Sequence, residues 1–531
     1  MKYLNLMKLN RYKLLLLFTF VLLISKTFYI YHYLINNSIP VYDGVINEKN
    51  QILRFLNFKN TFSFLERYNQ IIYEFSGNHV SSIFNIICIA ISPKLLINDI
   101  DIFARGIIAI LILFFSIHYF VNKQLKTSSL IFLSISSLPT FFHYRFGLFT
   151  YIPDIISGLF LLSAYFYTLI YLRTKKIKNL LYTVILIFLA IGFRYNFFVY
   201  AGLIFMPISL LVIKDLFKKK KIKSNKILFL LIFGFIGFII FYVYFHFDAF
   251  IEYYGRDAKY AEISLSSSIK STVEYLTTEI NLLFIVSLLI INIIINNFFY
   301  TSSVEIKSYL LVYPFVSMLI FLVFFMHATN QPHVFSAFFL FIIPIAFLKN
   351  KFLVFKIFAN KKYFIINLIL TNLIINFSCF YTKLNMIKNK EIDNSGVLLA
   401  NKIDEITKFK KEKKYFLLFE SALEIPLDVY FFKKYKTLYE NKLKYYYTDF
   451  EYYSIDKNLN YQTILNHYIT EIEKTKPELI ILNSENLNLG KDKTLGIKIN
   501  NGLREFVRES KKYTYFTSMR YKNQKILFYK L

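Results

Sequence analysis

Tryptophan is missing from this chain of 531 residues, and cysteine, proline and glycine are scarce, at 2, 10 and 14. The two cysteines, Cys88 and Cys379, both sit in apolar runs. They read as small buried hydrophobes rather than as a disulfide or a metal-ligating pair. So little glycine argues against a transporter built on Gly- and Pro-broken helices near the bilayer midplane, and no two halves of the chain match. Acidic residues are also short, 34 against 63 basic ones, which leaves a formal net charge of +29.

What fills the space is apolar. Hydrophobic residues make up 56% of the chain, with 43 Tyr and 61 Phe, and mean hydropathy is +0.44. That exceeds the apolar share of an ordinary soluble globule. In the absence of Trp, Tyr is left to serve as the interfacial aromatic. The excess charge could suggest nucleic acid, but the cations cluster beside apolar runs. There, anionic lipid headgroups are the natural partner, and a run such as Lys218–Lys221 reads as a topology determinant.

The chain contains about eleven apolar stretches of membrane-spanning character. They run Leu14–Leu34, Phe103–Val121, Ser128–Phe146, Ile152–Leu172, Leu180–Phe193 and Phe197–Ile213. They continue as Ile227–Phe245, Ile280–Ile295, Tyr309–Phe325, Val334–Leu348 and Tyr363–Tyr381. The connectors alternate. Met1–Lys13, Lys123–Lys126, Arg173–Lys178, Lys214–Lys226 and Lys349–Lys362 are basic, and those between them are not; Asn296–Lys307 is a weak member of the basic set. Basic short loops stay in the cytoplasm. The expectation is therefore a polytopic α-helical membrane protein of the cell inner (cytoplasmic) membrane, multi-pass, with the N-terminus cytoplasmic. The first run is longer than a signal-peptide core and lacks a small-x-small cleavage site, so it is expected to remain as an anchor.

Two segments depart from the short-loop pattern. The first extracytoplasmic loop, 37–101, carries amphipathic spacing at Gln51, Arg54, Phe55 and Phe58, and again at Phe64, Tyr68, Ile71 and Ile72. Its apolar piece Asn78–Leu96 contains Pro93 and reads as a helix in the outer interface. The transmembrane module so drawn covers 1–381. From Thr382 to Leu531 the composition turns charged and polar, and the alternation of strands with helices there predicts an extracytoplasmic α/β domain, 382–531. Its predicted elements are strands Tyr415–Phe419, Leu479–Leu482, Tyr513–Met519 and Lys525–Tyr529, with helices Tyr461–Lys474 and Leu503–Glu509. It shows no phosphate-cradling glycine loop, metal-ligand spacing or nucleophile elbow.

Ionisable groups at membrane depth are costly and suggest function by default. The topology gathers Asp43, Glu48, His79, Arg105, Arg145, Asp154, Arg194, His327 and His333 at one face, from separate connections. Asp43, in Val41-Tyr42-Asp43-Gly44, follows the first span, where a carboxylate suits a base and an Asp-Gly turn is the structural alternative. Asp154 opens the fourth span after Pro153, a good helix N-terminus in its own right, with His143 and Arg145 across the short loop. Arginines converging from several spans suit a phosphate, held by bidentate charged hydrogen bonds.

This layout resembles the GT-C superfamily of membrane glycosyltransferases, especially bacterial relatives of protein O-mannosyltransferases and lipid A aminoarabinose transferases. Asp43 stands at the family's outer-loop acid. Gly77-Asn78-His79 introduces an apolar segment ending in Ala104-Arg105, similar to its His-Pro-Pro and Ala-Arg-Leu region. Pro153-Asp154 begins the fourth span, and Pro332-His333 precedes the Pro344-containing run. The chain departs from the pattern with Asp43-Gly44 in place of Asp-Glu, leaving Glu48 as the nearby second acid, and with Val80-Ser81-Ser82 after His79.

The resemblance implies a transferase that moves a sugar from a polyprenyl-phosphate carrier to a glycan, lipid or protein acceptor of the cell envelope. It implies Asp43 as base, with Glu48 and Asp154 as further acids. Arg105, Arg145 and Arg194 become candidates for the phosphate, and His79, His327 and His333 for substrate binding. No cofactor is expected, because the lipid-phosphate-linked sugar is itself the donor, and the scheme requires no metal. Membrane lipid is a partner; nucleic acid is not. A polysaccharide polymerase or ligase, or a polytopic transporter, is the alternative reading.

Overall fold

The computed structural model describes residues 100–123, 125, 128, 154–193, 197–218, 232–237, 239–240, 244, 308–325, 340–347, 395–407, 415–417, 461–483, 493–521 and 524–531. They fall into two compact units, one holding the described residues between 100 and 347 and the other those between 395 and 531.

The first unit is helical. Helix α1 is Ile100–Phe120, α2 is Asp154–Thr174, α3 is Lys178–Phe193, α4 is Phe197–Lys218 and α5 is Ser308–Phe325. A 3-10 helix, Leu340–Phe347, contains Pro344. Helix α2 is at the centre. It is apolar around its whole circumference and buried from Asp154 through Phe166, as such a helix must be. It packs against α1, α3, α4 and the 3-10 helix, and Tyr165 reaches α5 through a hydrogen bond to the Leu310 carbonyl.

That bond has a cause in the sequence. Pro314 lies inside α5 and has no N–H, so the Leu310 carbonyl one turn earlier loses its helical donor. The Tyr165 hydroxyl supplies the replacement. The same device recurs at α4. Pro207 deprives the Leu203 carbonyl of its donor, the helix bends by 53° between Phe197–Phe205 and Pro207–Lys214, and Tyr313 of α5 donates to Leu203 at 2.7 Å. Prolines inside apolar helices are tolerated where neighbours satisfy the freed backbone in this way.

Helix α3 doubles back on α2 through a short basic turn. Lys175 takes a left-handed φ of 57°, and the Thr174 hydroxyl accepts from Asn179 Nδ2 at 3.0 Å. Deeper between the two helices, Thr168 and Thr183 meet at 3.1 Å. Outward faces are apolar as well. Ile108, Phe115 and Tyr119 line one stripe of α1, Leu210 and Ile213 lie on α4, and all are exposed. In the segment that follows, Phe233, Ile236, Ile240 and Tyr244 recur at helical spacing and are exposed too.

Among the described residues, one helix is long and apolar enough to cross a membrane, Asp154–Thr174; the bent pair in α4 passes as a second if counted as one span. Ala104–Phe120, Lys178–Phe193 and Tyr309–Met318 are shorter apolar helices.

The second unit contains α6 (Ser395–Thr407), β1 (Tyr415–Leu417), α7 (Tyr461–Thr475), β2 (Leu479–Asn483), α8 (Lys493–Glu509), β3 (Thr514–Tyr521) and β4 (Gln524–Lys530). The strands form one sheet in the order β1-β2-β4-β3. The β1–β2 pair is parallel and the other pairs are antiparallel. In β2 and β4 the register sets Ile480 opposite Tyr529 and Leu482 opposite Leu527. These four close on Ile464, Leu465, Tyr468 and Ile472 of α7 and on Ile499, Leu503 and Val507 of α8. The alternate residues Leu479, Ile481, Ile526 and Phe528 are buried too, so both faces of the central strands are covered and β2 reads as an unbroken apolar run.

Two features differ from the sequence expectation. Helix α8 begins at Lys493, ten residues before the expected start at Leu503. Gly496, Asn500, Asn501 and Gly502 are poor helix formers, and packing decides the matter: a Cβ on Gly502 would lie 2.6 Å from the Tyr461 hydroxyl and 2.7 Å from Leu465 Cδ2. A larger residue at this position would displace the ends of the Tyr461 and Leu465 side chains. Helix α6 was not expected; its buried Leu399 and Ile403 are one turn apart.

Candidate functional site

Of the candidate residues, Arg105 and Asp154 fall within the described part of the chain. Asp43, Glu48, His79, Arg145, Arg194, His327 and His333 lie outside the described residues. The connection at Arg194 lies between the end of α3 at Phe193 and the start of α4 at Phe197.

Arg105 is in the second turn of α1 and Asp154 opens α2. Both are buried, at 3% and 1% exposure. Burial at that level distinguishes them from headgroup-facing side chains, which keep their charged ends in water. It also demands compensation, because an ionised group removed from water is costly unless paired.

The two helices run in the same direction, and their far ends show it. Arg173, in the last turn of α2, donates through Nη1 to the Phe120 carbonyl at 2.8 Å and through Nη2 to the Tyr119 carbonyl at 3.3 Å. Both acceptors belong to the last turn of α1, where carbonyls run out of i+4 donors; the Tyr119 carbonyl also accepts the Asn122 N–H at 3.2 Å. The Phe120 and Phe166 rings meet at 5.0 Å nearby. Arg173 is 53 residues from Phe120 and 54 from Tyr119. Carried back along parallel helices, that offset sets Arg105 level with Gly158, about one turn from Asp154 at 5.4 Å per turn. The structure thus brings these two candidates to one end of one helix pair.

The opposite end is basic and aromatic. Lys123 lies over the Tyr119 ring at 5.4 Å, Arg173 over Phe120 at 5.9 Å and Lys175 over Tyr171 at 5.7 Å. The Lys123–Lys126 and Arg173–Lys178 connectors therefore begin at the same end of the unit.

Local sequence explains the placement. Asp154 meets the positive end of the α2 dipole and Arg173 the negative end. One residue escaped the sequence reading. Ser157 sits one turn after Asp154 and is fully buried. No local pattern in the sequence marks it; its burial does.

Chemically, a buried carboxylate and a buried guanidinium at one level can hold a phosphate and orient a hydroxyl beside it. Among the described residues, no group of three His, Cys, Asp or Glu gathers to hold a metal ion. No family model matches the chain, and neither does a curated protein or a solved structure.

Proposed function

We propose that the chain is a membrane glycosyltransferase that moves a sugar from a polyprenyl-phosphate carrier to a cell-envelope acceptor on the extracytoplasmic face. The observation that carries this reading is the burial of Arg105 and Asp154 at one end of the α1–α2 pair, opposite the basic turn. Basic turns mark the cytoplasmic side, so the pair lies toward the outer end of these helices. The exposed apolar stripes of α1 and α4 support a lipid surround. The α/β unit after residue 395 follows as an extracytoplasmic domain.

The reaction is a single displacement at the anomeric carbon. The acceptor oxygen forms the new bond as the bond to the phosphate oxygen breaks; the electron pair leaves with the lipid phosphate and the acceptor proton passes to a carboxylate. The configuration inverts. Asp43 is the proposed base, with Glu48 and Asp154 as the other acids. Arg105, Arg145 and Arg194 stabilise the charge that develops on the phosphate, and His79, His327 and His333 contact substrate.

Turnover of polyprenyl-phosphate sugars by the reconstituted protein tests this. Wild type releases or transfers sugar, and a folded Asp43→Asn variant loses about 10²–10⁴-fold, the worth of a general base. A folded wild type that turns over no donor would falsify the reading.

A further inference from the structure

The β3–β4 hairpin of the second unit carries charge of one sign. Every charged side chain from Lys511 to Lys530 is basic: Lys511, Lys512, Arg520, Lys522, Lys525 and Lys530. The helices packed on the same sheet are mixed, with Glu471 and Glu473 on α7 and Glu505 and Glu509 on α8. Unopposed positive charge thus distinguishes the hairpin from the helices beside it.

Two aromatic rings stand among these cations. Among the described residues β3 is at the edge of the sheet, and Tyr515 and Phe516 are exposed on it at 56% and 52%. A bulge between Tyr515 and Thr517 makes Phe516 the extra residue of β3, with no opposite number on β4. The Tyr515 ring meets the buried Tyr529 ring at 6.1 Å. The Lys530 ammonium lies over the Phe516 ring at 5.4 Å. Thr514 pairs with Lys530, so this lysine and both rings share one end of the hairpin with the exposed Lys511 and Lys512.

Clustered exposed apolar groups mark a partner. A peptide strand is a poor fit, because a bulge and lysines on an edge strand are devices against strand addition. An anionic lipid surface fits on both counts. Cations pair with lipid phosphate, and aromatic rings settle at headgroup level. In a chain without Trp, Tyr and Phe are the rings that can do so.

We propose that the β3–β4 hairpin docks on an anionic lipid surface through Tyr515, Phe516, Lys511, Lys512 and Lys530. The proposal rests on the reading of the chain as a membrane protein and is independent of the sugar chemistry. A domain carried on a membrane-spanning chain is already confined near the bilayer, so weak contacts suffice to hold it there.

The absence of Trp supplies a clean probe. Full-length protein with Phe516→Trp is reconstituted into vesicles of phosphatidylcholine, with or without phosphatidylglycerol, and brominated acyl chains serve as quencher. Thr470→Trp, at an exposed position of α7, is the control. The expected result is blue-shifted emission from Phe516→Trp that bromolipid quenches in the phosphatidylglycerol vesicles, with no quenching of Thr470→Trp. Salt at about 1 M, where the screening length falls to about 3 Å, abolishes the quenching. Adding Lys512→Gln lowers the ratio of docked to undocked protein about fivefold, the worth of one cation at an anionic surface.

Unquenched Phe516→Trp emission in both kinds of vesicle would overturn the proposal, as would equal quenching with and without phosphatidylglycerol. A blue shift given by a soluble acidic polysaccharide but by no vesicle would overturn it in favour of a glycan. The membrane reading fails separately. Flotation with vesicles that vanishes in high salt sinks the spanning chain and leaves the docking surface. Salt-resistant flotation without quenching sinks the docking surface alone.

Discussion

The Tyr313 hydroxyl donates to the Leu203 carbonyl at 2.7 Å, the acceptor that Pro207 strips of its helical donor. The bend in α4 and the contact between α4 and α5 are thus one feature. If so, the tyrosine and the proline are energetically coupled. Tyr313→Phe is expected to cost about 1 kcal/mol in the wild-type background. In a Pro207→Ala background the restored N–H serves Leu203, and the same substitution costs much less. A double-mutant cycle read by unfolding in mixed micelles checks this, and additive effects would contradict it.

The Arg173 fork is expected to be specific to arginine. Arg173→Ala removes this donor from the Phe120 carbonyl and one of two donors from the Tyr119 carbonyl, which keeps the Asn122 N–H, and costs about 2 kcal/mol. Arg173→Lys retains the charge but cannot serve two carbonyls in fixed geometry, so it recovers less than half of the loss. Thermal unfolding of both variants decides the point; full recovery by lysine would reduce the contact to simple charge.

Sidedness makes a sharper claim. In a background of Cys88→Ser and Cys379→Ser, Lys175→Cys is expected to react with a membrane-impermeant maleimide only after cells are opened. Lys476→Cys, between α7 and β2, is expected to react in intact cells. The opposite pattern, or labelling of both sites from one side, would reverse the assignment of the outer face.

The C-terminal unit carries its own pH signature. Burial pushes the Tyr513 phenol from 10.0 up to about 12. The folded state therefore holds the proton more tightly than the unfolded chain does. The stability linked to Tyr513 is fully present below about pH 10 and declines as pH rises toward 12. Hydrogen exchange of β3 and β4 between these limits should show wild type losing protection more steeply than Tyr513→Phe. Equal slopes would remove Tyr513 as the cause.

Among the described residues, apolar runs located the helices well and their partnerships poorly. The run from Phe103 to Val121 appears as α1 and that from Ile152 to Leu172 as α2, each displaced by about two residues, as helix ends commonly are. The hairpin of β3 and β4 was legible from alternation and a short polar turn. Invisible in the sequence were the contacts across helices: Arg173 on Phe120, Tyr165 on Leu310, and Tyr313 on Leu203. These span 53, 145 and 110 residues, and no local pattern encodes them. The same limit applies at the site. Arg105 and Asp154 were each readable as intramembrane charges, but their common level follows only from the register set at the other end of the helices. Ser157 carried no signal until its burial was known.

The most direct test is sugar transfer from polyprenyl-phosphate donors by reconstituted wild type, Arg105→Gln and Asp154→Asn, with folding of each verified by its unfolding temperature. The account predicts turnover by wild type and a loss of at least about 100-fold in each variant, the scale of removing a preorganised charge from a transferring phosphate. Wild-type rates in both folded variants would show that the buried pair serves the helix packing alone and would contradict the account.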